Sequence, residues 1–282
     1  MRQANLRAPE TDVTNPPSAA FVGDIPGYYD RNLGPILFED YALDIAARAA
    51  RARPVNVLEL AAGTGIVSRK LRDALPPSAS LMVTDLNPPM LDIAKQKFKA
   101  GEKVGFATAD AAASPYEDDA FDLIVCQFGY MFLRDKRAGF REARRVLSSG
   151  GLLLFSTWAP MAANPFSEVA YDVGAHFAPA KPPMFYRVPF SYGDQTLARA
   201  DLAACGFKGV SCDAVKHDRK ISDWAAFARG AVYGNPLLAE MQALGVDPDN
   251  VVAALLDAFR ARFGREPTTM PLEALMFSAR KS

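Results

Sequence analysis

The sequence predicts a doubly wound α/β protein, in which helices cover both faces of a mostly parallel sheet. Strands alternate with amphipathic helices from Val55 to Trp158, and a glycine-containing turn joins the first strand to the helix after it. The chain has 282 residues, of which 50% are hydrophobic and 23% are charged. This is enough for one globular domain with an added region.

Composition disfavours several functions. Lys and Arg total 32, as do Asp and Glu, so the excess of positive charge typical of nucleic-acid binding is absent. Cys126, Cys205 and Cys212 form no CxxC pair, and we expect neither disulfides nor a metal site. There is no apolar run of signal-peptide or membrane-spanning type, so we expect no membrane insertion and a cytoplasmic location.

The alternation can be followed element by element. A strand at 55–60 precedes a helix at 66–75, in which Val67, Leu71 and Leu75 share one face. Further strands are predicted at 81–84, 104–109, 121–126 and 151–158, with helices at 36–52, 90–100 and 136–147; Gly150 and Gly151 are expected to end the last of these helices.

The pattern is less regular after Trp158. Residues 159–193 are rich in Pro, Phe and Tyr and fit neither element. The remainder is predicted as a helix at 195–205, a strand at 210–216, helices over 222–264 broken at Pro236 and Pro248, and a final strand at 272–279.

The turn after the first strand carries the clearest indication of a ligand. Gly63 and Gly65 allow a close backbone approach, and the N–H groups of the following helix attract an anionic group. Asp85 ends the second strand, 20 positions after Gly65, which is the spacing of an acid that binds ribose hydroxyls. A structural turn, with Asp85 or Asn87 capping the next helix, is the alternative interpretation.

The acid before the turn distinguishes between nucleotide ligands. A dinucleotide motif requires Gly or Ala where this chain has Ser68, and Glu59 would repel a pyrophosphate. A nicotinamide-dependent oxidoreductase is therefore disfavoured. S-adenosylmethionine fits better, because its ammonium group would be attracted by Glu59.

Five blocks of sequence occur in the order typical of one family. They are residues 57–65, 83–91, 109–111, 121–128 and 145–154. Together they resemble the class I S-adenosylmethionine-dependent methyltransferases, specifically the ubiquinone/menaquinone-biosynthesis-like (methyltransferase type 11) group. The first block departs mildly, with Ala61 where the family usually has Gly. The resemblance implies a Rossmann-like sheet of seven strands with an antiparallel final strand, and an inserted, mainly helical cap.

The resemblance also implies roles for individual residues. Asp85 would bind the ribose, Asp110 would meet the adenine amino group, and residues 25–30 resemble a lid over the cofactor. The full expected cofactor set is Tyr29, Glu59, Ala61, Gly63, Thr64, Gly65, Asp85, Leu86, Met90, Asp110, Ala111 and Gln127.

The expected reaction is in-line transfer of a methyl group to oxygen, nitrogen or carbon of a small organic acceptor. A substrate pocket is expected to include Tyr130, Met131, Trp158, Phe185 and Tyr186, although such aromatics also fill cores. His176 is a candidate base. The sequence leaves open a protein or RNA acceptor, a non-catalytic cofactor-binding module, and the oligomeric state.

These expectations divide the chain into five parts. They are a disordered tail (1–20), N-terminal lid helices (21–52), a cofactor-binding core (53–158), a cap and substrate region (159–193 and 222–264), and the rest of the core sheet (194–221 and 265–282).

Overall fold

The computed structural model describes residues 19–282, so most of the predicted tail lies outside the described residues. Its centre is a sheet of seven strands: β1 (Asn56–Glu59), β2 (Ser80–Asp85), β3 (Val104–Thr108), β4 (Phe121–Gln127), β5 (Leu147–Trp158), β6 (Phe207–Ile221) and β7 (Thr268–Lys281). The strand order is β3-β2-β1-β4-β5-β7-β6. The pairs among β1 to β5 are parallel, whereas β7 runs antiparallel to both β5 and β6. The predicted doubly wound sheet with an antiparallel final strand is confirmed.

Helices cover both faces of the sheet. They are α1 (Ile25–Tyr28), α2 (Glu39–Arg51), α3 (Ile66–Ala74), α4 (Pro88–Lys95), α5 (Lys136–Val146), α6 (Pro165–Phe177), α7 (Gln195–Ala204), α8 (Trp224–Tyr233), α9 (Leu237–Ala243) and α10 (Pro248–Phe263). A π-helix (Tyr29–Phe38) joins α1 to α2, and short 3₁₀ turns occupy Tyr130–Phe132, Met161–Ala163 and Phe185–Arg187. Within residues 19–282, every helix is too short or too polar to traverse a lipid bilayer.

The core has one layer on each side of the sheet. Successive residues of β1 face opposite ways, so Val57 packs into one layer and Leu58 into the other, both fully buried. The layer containing Leu58 is rich in aromatic rings and extends under α6, α8 and α10. Burial on both faces explains why the central strands are continuously apolar.

Several element boundaries differ from the prediction. The segment 159–193 contains α6, which begins with Pro165 in the first turn, where its fixed φ and missing N–H are tolerated. Strand β6 is longer than expected; it lies at the sheet edge, where alternate side chains face solvent. The first helical region begins at Ile25, well before residue 36. Helix α4 ends at Lys95, and Gly150 lies within β5.

Candidate functional site

Three polar residues end three adjacent strands at the same edge of the sheet. Glu59 ends β1, Asp85 ends β2 and Gln127 ends β4. The strand order reverses between β1 and β4, which is where open α/β sheets bind ligands. A cavity of about 380 Å³ lies here. Nine residues of the predicted cofactor set line this cavity: Tyr29, Ala61, Gly63, Asp85, Leu86, Met90, Asp110, Ala111 and Gln127.

The carboxylate of Asp85 lies at the edge of this cavity and accepts hydrogen bonds from the backbone. Its Oδ2 accepts a hydrogen bond from the Gly63 N–H at 2.8 Å, and its Oδ1 accepts one from the Asn87 N–H at 2.8 Å. Burial raises the pKa of Asp85, and these backbone donors oppose that shift. A carboxylate offers about four lone-pair positions, and the side-chain amide of Asn87 takes a third one at Oδ1, so Oδ2 can still accept a hydrogen bond from a ligand's hydroxyl group.

A small void of about 30 Å³ beside the cavity is lined by Glu59, Thr64 and Gln127. Among residues 19–282, no group donates or accepts a hydrogen bond at Glu59 Oε2, Thr64 Oγ1 or Gln127 Oε1, and all three atoms are buried. Buried polar atoms are normally paired, because an unpaired one costs about 1–3 kcal/mol. Three such oxygens around one void fit a ligand group with several N–H donors.

The ionisation of Glu59 is strongly perturbed. Its side chain is 1% exposed, and burial raises its pKa to about 8; the Ser68 hydroxyl lowers the pKa and the Asp85 carboxylate raises it. In the absence of a positive partner Glu59 is therefore mostly protonated near neutral pH. A cation in the void would stabilise its carboxylate form.

The turn that connects β1 to α3 adopts left-handed backbone conformations. Ala61, Gly63 and Gly65 have φ values of +51°, +57° and +80°. Gly65 lines neither the cavity nor the void: a Cβ built on it would lie 2.7 Å from the Cβ of Ala94 in α4. Gly65 therefore allows α4 to pack closely against the start of α3, whereas its spacing in the sequence had predicted a contact with the ligand.

A second, smaller cavity of about 70 Å³ adjoins the first, and we call it the aromatic pocket. It contains four of the residues predicted for the substrate pocket: Met131, Trp158, Phe185 and Tyr186. The indole of Trp158 stacks on Phe128, with ring centroids 4.2 Å apart. The polar side chains that line the aromatic pocket include Tyr186 and Asn235, which both donate a hydrogen bond to the Ala231 carbonyl.

Two sequence candidates lie elsewhere. Tyr130 is fully buried with its ring stacked on Phe140 at 4.3 Å, because the 3₁₀ turn directs it into the core, and it lines neither cavity. His176 lies near the end of α6 with its side chain exposed, and it lines neither cavity either. The structure brings neither residue to the site.

Several residues that build the site were not among those predicted from the sequence. Phe21, Phe128 and Phe132 line both cavities, but nothing in their spacing distinguishes them from core aromatics. Asn87 lines the larger cavity and occupies the N-cap position of α4, yet its side chain makes no capping hydrogen bond. The sequence indicated it only as a possible cap.

Comparison with known proteins places this site in a family. Residues 57–151 match the methyltransferase domain family. The demethylmenaquinone methyltransferases of Deinococcus radiodurans and Thermus thermophilus are 36% and 37% identical over 125 and 129 residues, which are 44% and 45% of this chain and 52% and 57% of theirs. The chain thus spans about half the length of these relatives. The ubiquinone/menaquinone biosynthesis C-methyltransferase of Serratia proteamaculans is 30% identical over 173 residues, which are 56% of this chain and 68% of the relative.

Solved structures confirm the fold. A phosphoethanolamine N-methyltransferase of Haemonchus contortus, solved with phosphomonomethylethanolamine and S-adenosylhomocysteine, superposes with a TM-score of 0.60 at 14% identity over 93% of this chain and 59% of that one. The YcgJ protein of Bacillus subtilis gives a TM-score of 0.55 at 20% identity over 86% of this chain and 98% of its own. From the sequence relatives, the chain belongs to the class I S-adenosylmethionine-dependent methyltransferases of the ubiquinone/menaquinone-biosynthesis-like group.

Proposed function

We propose that this protein transfers the methyl group of S-adenosylmethionine to a small, apolar organic acceptor. The observation that carries the proposal is the void with three unpaired buried oxygens, those of Glu59, Thr64 and Gln127. It lies at one end of a cavity that also contains Asp85, and an aromatic pocket adjoins that cavity. An ammonium, a ribose and an apolar acceptor would each have a matching environment.

The described residues fit the cofactor. Its ammonium would bind at Glu59 and Gln127, and its carboxylate would meet the N–H groups that begin α3. Asp85 Oδ2, which accepts from the Gly63 N–H, would accept a second hydrogen bond from a ribose hydroxyl. The adenine would lie near Leu86 and Asp110, as proposed from the family resemblance. When bound, the sulfonium supplies an electrophilic methyl group.

The aromatic pocket indicates the chemistry of the acceptor. Among the described residues, no charged side chain lines it. A neutral, apolar, planar molecule suits such a lining. The names of two relatives contain demethylmenaquinone, and the name of a third refers to ubiquinone and menaquinone biosynthesis. We therefore propose that the acceptor is the electron-rich aromatic ring of a quinol, the reduced form of a quinone.

The protein's contribution to catalysis is mainly positioning. No His, Asp, Glu or Lys among residues 19–282 lines the aromatic pocket, and burial raises the pKa of Tyr29 and Tyr186, so neither phenol there is suited to act as a base. Trp158 and Phe128 would hold the acceptor ring, and their faces suit a neighbouring positive charge. Alignment of nucleophile, methyl carbon and sulfur can lower a barrier by about 7–11 kcal/mol, and exclusion of water favours the same reaction.

The division of labour along the chain follows from the linings. We propose that residues 53–158 bind the cofactor, while 21–52, 159–193 and 222–264 supply most of the acceptor pocket. Residues 194–221 and 265–282 complete the sheet. The cytoplasmic location and the lack of nucleic-acid binding expected from the sequence stay predictions.

Calorimetric titration with S-adenosylhomocysteine, S-adenosylmethionine and NAD tests the cofactor. We expect micromolar binding of the two sulfur compounds and none of NAD. Asp85→Ala should weaken binding at least tenfold, because it removes charge-assisted hydrogen bonds. The control Asp172→Ala, on an exposed position of α6, should bind like the wild type. Binding of NAD alone would contradict the proposal.

Product analysis tests the reaction. Incubation with S-adenosylmethionine and a panel of quinols, phenols and amines should yield a methylated quinol. A methylated amine instead would support methyl transfer but contradict the proposed quinol acceptor. Cofactor binding without product from any acceptor, including protein and RNA, would favour a non-catalytic binding module.

A further inference from the structure

Asn87 makes hydrogen bonds in two directions. Its Nδ2 donates to Asp85 Oδ1 at 3.2 Å, and its Oδ1 accepts from the backbone N–H of Phe21 at 3.3 Å, an N–H that the Ala19 carbonyl also accepts at 3.2 Å. The residue is 6% exposed. Asn at the start of a helix usually caps the free N–H groups, but this side chain makes no capping hydrogen bond with α4. Its hydrogen-bonding capacity is directed towards the N-terminal segment and Asp85.

Phe21, at the other end of this bridge, forms part of the wall between the two cavities. Its ring lines both the larger cavity and the aromatic pocket. It makes edge contacts with Tyr29, Phe132 and Phe185, at centroid distances of 5.7, 5.9 and 6.4 Å. The position of the backbone at Phe21 therefore determines the shape of both cavities.

We propose that Asn87 couples the ribose site to the acceptor pocket: it is a positioning residue that holds Phe21 in the shared wall through its bridge to Asp85. The coupling rests on the proposed function, since it takes Asp85 as the ribose-binding acid. A ribose that hydrogen-bonds to Asp85 fixes the carboxylate, which fixes the Asn87 amide and, through its Oδ1, the Phe21 N–H. Cofactor binding would thereby order the wall against which the acceptor packs.

The geometry explains why this position is Asn. Asp would supply the oxygen for Phe21, but it would place a second carboxylate beside that of Asp85. Ser could cap α4, but its shorter side chain would not reach both partners. The amide supplies a donor on one side and an acceptor on the other.

Amide hydrogen exchange at Phe21 tests the bridge directly in the full chain. Without any ligand, Asn87→Ala should exchange this amide about twofold faster than the wild type, the low end for one hydrogen bond, because the Ala19 carbonyl still accepts from it. Asn87→Ser, whose side chain could cap α4 but is too short to form the bridge, should behave like Asn87→Ala. The control Asn250→Ala, exposed on α10, should leave the rate unchanged. Equal rates in the wild type and both Asn87 variants would overturn the proposal.

The same measurement with S-adenosylhomocysteine tests the coupling. At concentrations that calorimetry shows to be saturating for each protein, the wild type should exchange at Phe21 at least fivefold more slowly than without ligand. The Asn87 variants should show less than a twofold change. The same slowing in variants and wild type would refute the coupling while leaving cofactor binding intact. Failure of the wild type to bind S-adenosylhomocysteine would refute the proposed cofactor and the coupling together.

Discussion

Binding of the cofactor should release a proton from Glu59. Because the pKa of this side chain is about 8 in the empty site, about 0.9 of the molecules carry the proton at pH 7. An ammonium beside the carboxyl favours the ionised form. We therefore expect about 0.9 proton to be released per ligand at pH 7 and about half a proton at pH 8.

The same ionisation sets the pH dependence of affinity. About 1% of Glu59 is ionised at pH 6, about 9% at pH 7 and about 50% at pH 8, from a pKa of about 8. The neutral carboxyl still accounts for most of the binding at pH 6, so the affinity for S-adenosylhomocysteine should rise about fourfold from pH 6 to 7 and about fivefold from pH 7 to 8.

Glu59→Gln isolates the contribution of the charge. At pH 8 ionisation costs only about 0.4 kcal/mol, while a charged hydrogen bond contributes about 1.5–3 kcal/mol, so the variant should bind about twentyfold more weakly. At pH 6 the cost of ionisation is about 2.7 kcal/mol and offsets that gain. Wild type and variant should then bind alike.

Calorimetry in two buffers of different ionisation enthalpy measures both quantities. The difference between the observed enthalpies gives the number of protons released, and the titrations give the affinities at each pH. Glu117→Gln, at an exposed position, is the matched control and should behave like the wild type. Equal enthalpies in both buffers for the wild type at pH 7, or an unchanged pH dependence in Glu59→Gln, would refute the reasoning.

Three further predictions concern stability, each measured by urea unfolding. Gly65→Ala should lower the free energy of unfolding by about 2–4 kcal/mol, because it adds a side chain to a left-handed backbone and a clash with α4. Gly101→Ala, at φ +89° with open space around it, should lower it by only about 1–2 kcal/mol. Equal losses would exclude the packing role. Tyr130→Phe should raise the free energy of unfolding by about 1 kcal/mol, because the buried hydroxyl lacks a hydrogen-bond partner among residues 19–282. Tyr186→Phe should lower it by about 1 kcal/mol, because it removes a hydrogen bond to the Ala231 carbonyl. A loss of stability in both variants would contradict this reasoning. Burial raises the pKa of Glu59 in the folded state, so its contribution to stability is complete below about pH 4.5 and is lost as the pH rises through about 8. Without ligand, the free energy of unfolding of the wild type should therefore fall by about 2 kcal/mol between pH 6 and 8. An equal fall in Glu59→Gln would assign the effect to other groups.

The fold was predictable where local pattern and tertiary role agree. The β1-to-α3 turn and the acid ending β2 follow each other at fixed spacing, and the central strands are apolar throughout because both faces are buried. Segment 159–193 was not assigned because α6 combines apolar residues on several faces with a proline in its first turn.

The site was only partly predictable, because sequence spacing does not state which neighbour a residue meets. Gly65 fits a ligand motif, but its missing side chain makes room for α4. Tyr130 and Trp158 are both aromatic residues near strand ends, yet one fills the core and the other lines the pocket. The contact between Phe21 and Asn87 joins residues 66 positions apart, which no local pattern encodes.

The π-helix before α2 sets the relative direction of two rings that line both the aromatic pocket and the void. Tyr29 and Phe38 are its first and last residues, and their rings stack 4.9 Å apart. Nine residues make about two turns of a π-helix, which brings both rings to one side. In an α-helix the same nine residues turn about two and a half times and would place the rings on opposite sides. The winding of this segment is thus as much a part of the site as its side chains, and deleting one residue between the rings would separate them without altering any lining side chain.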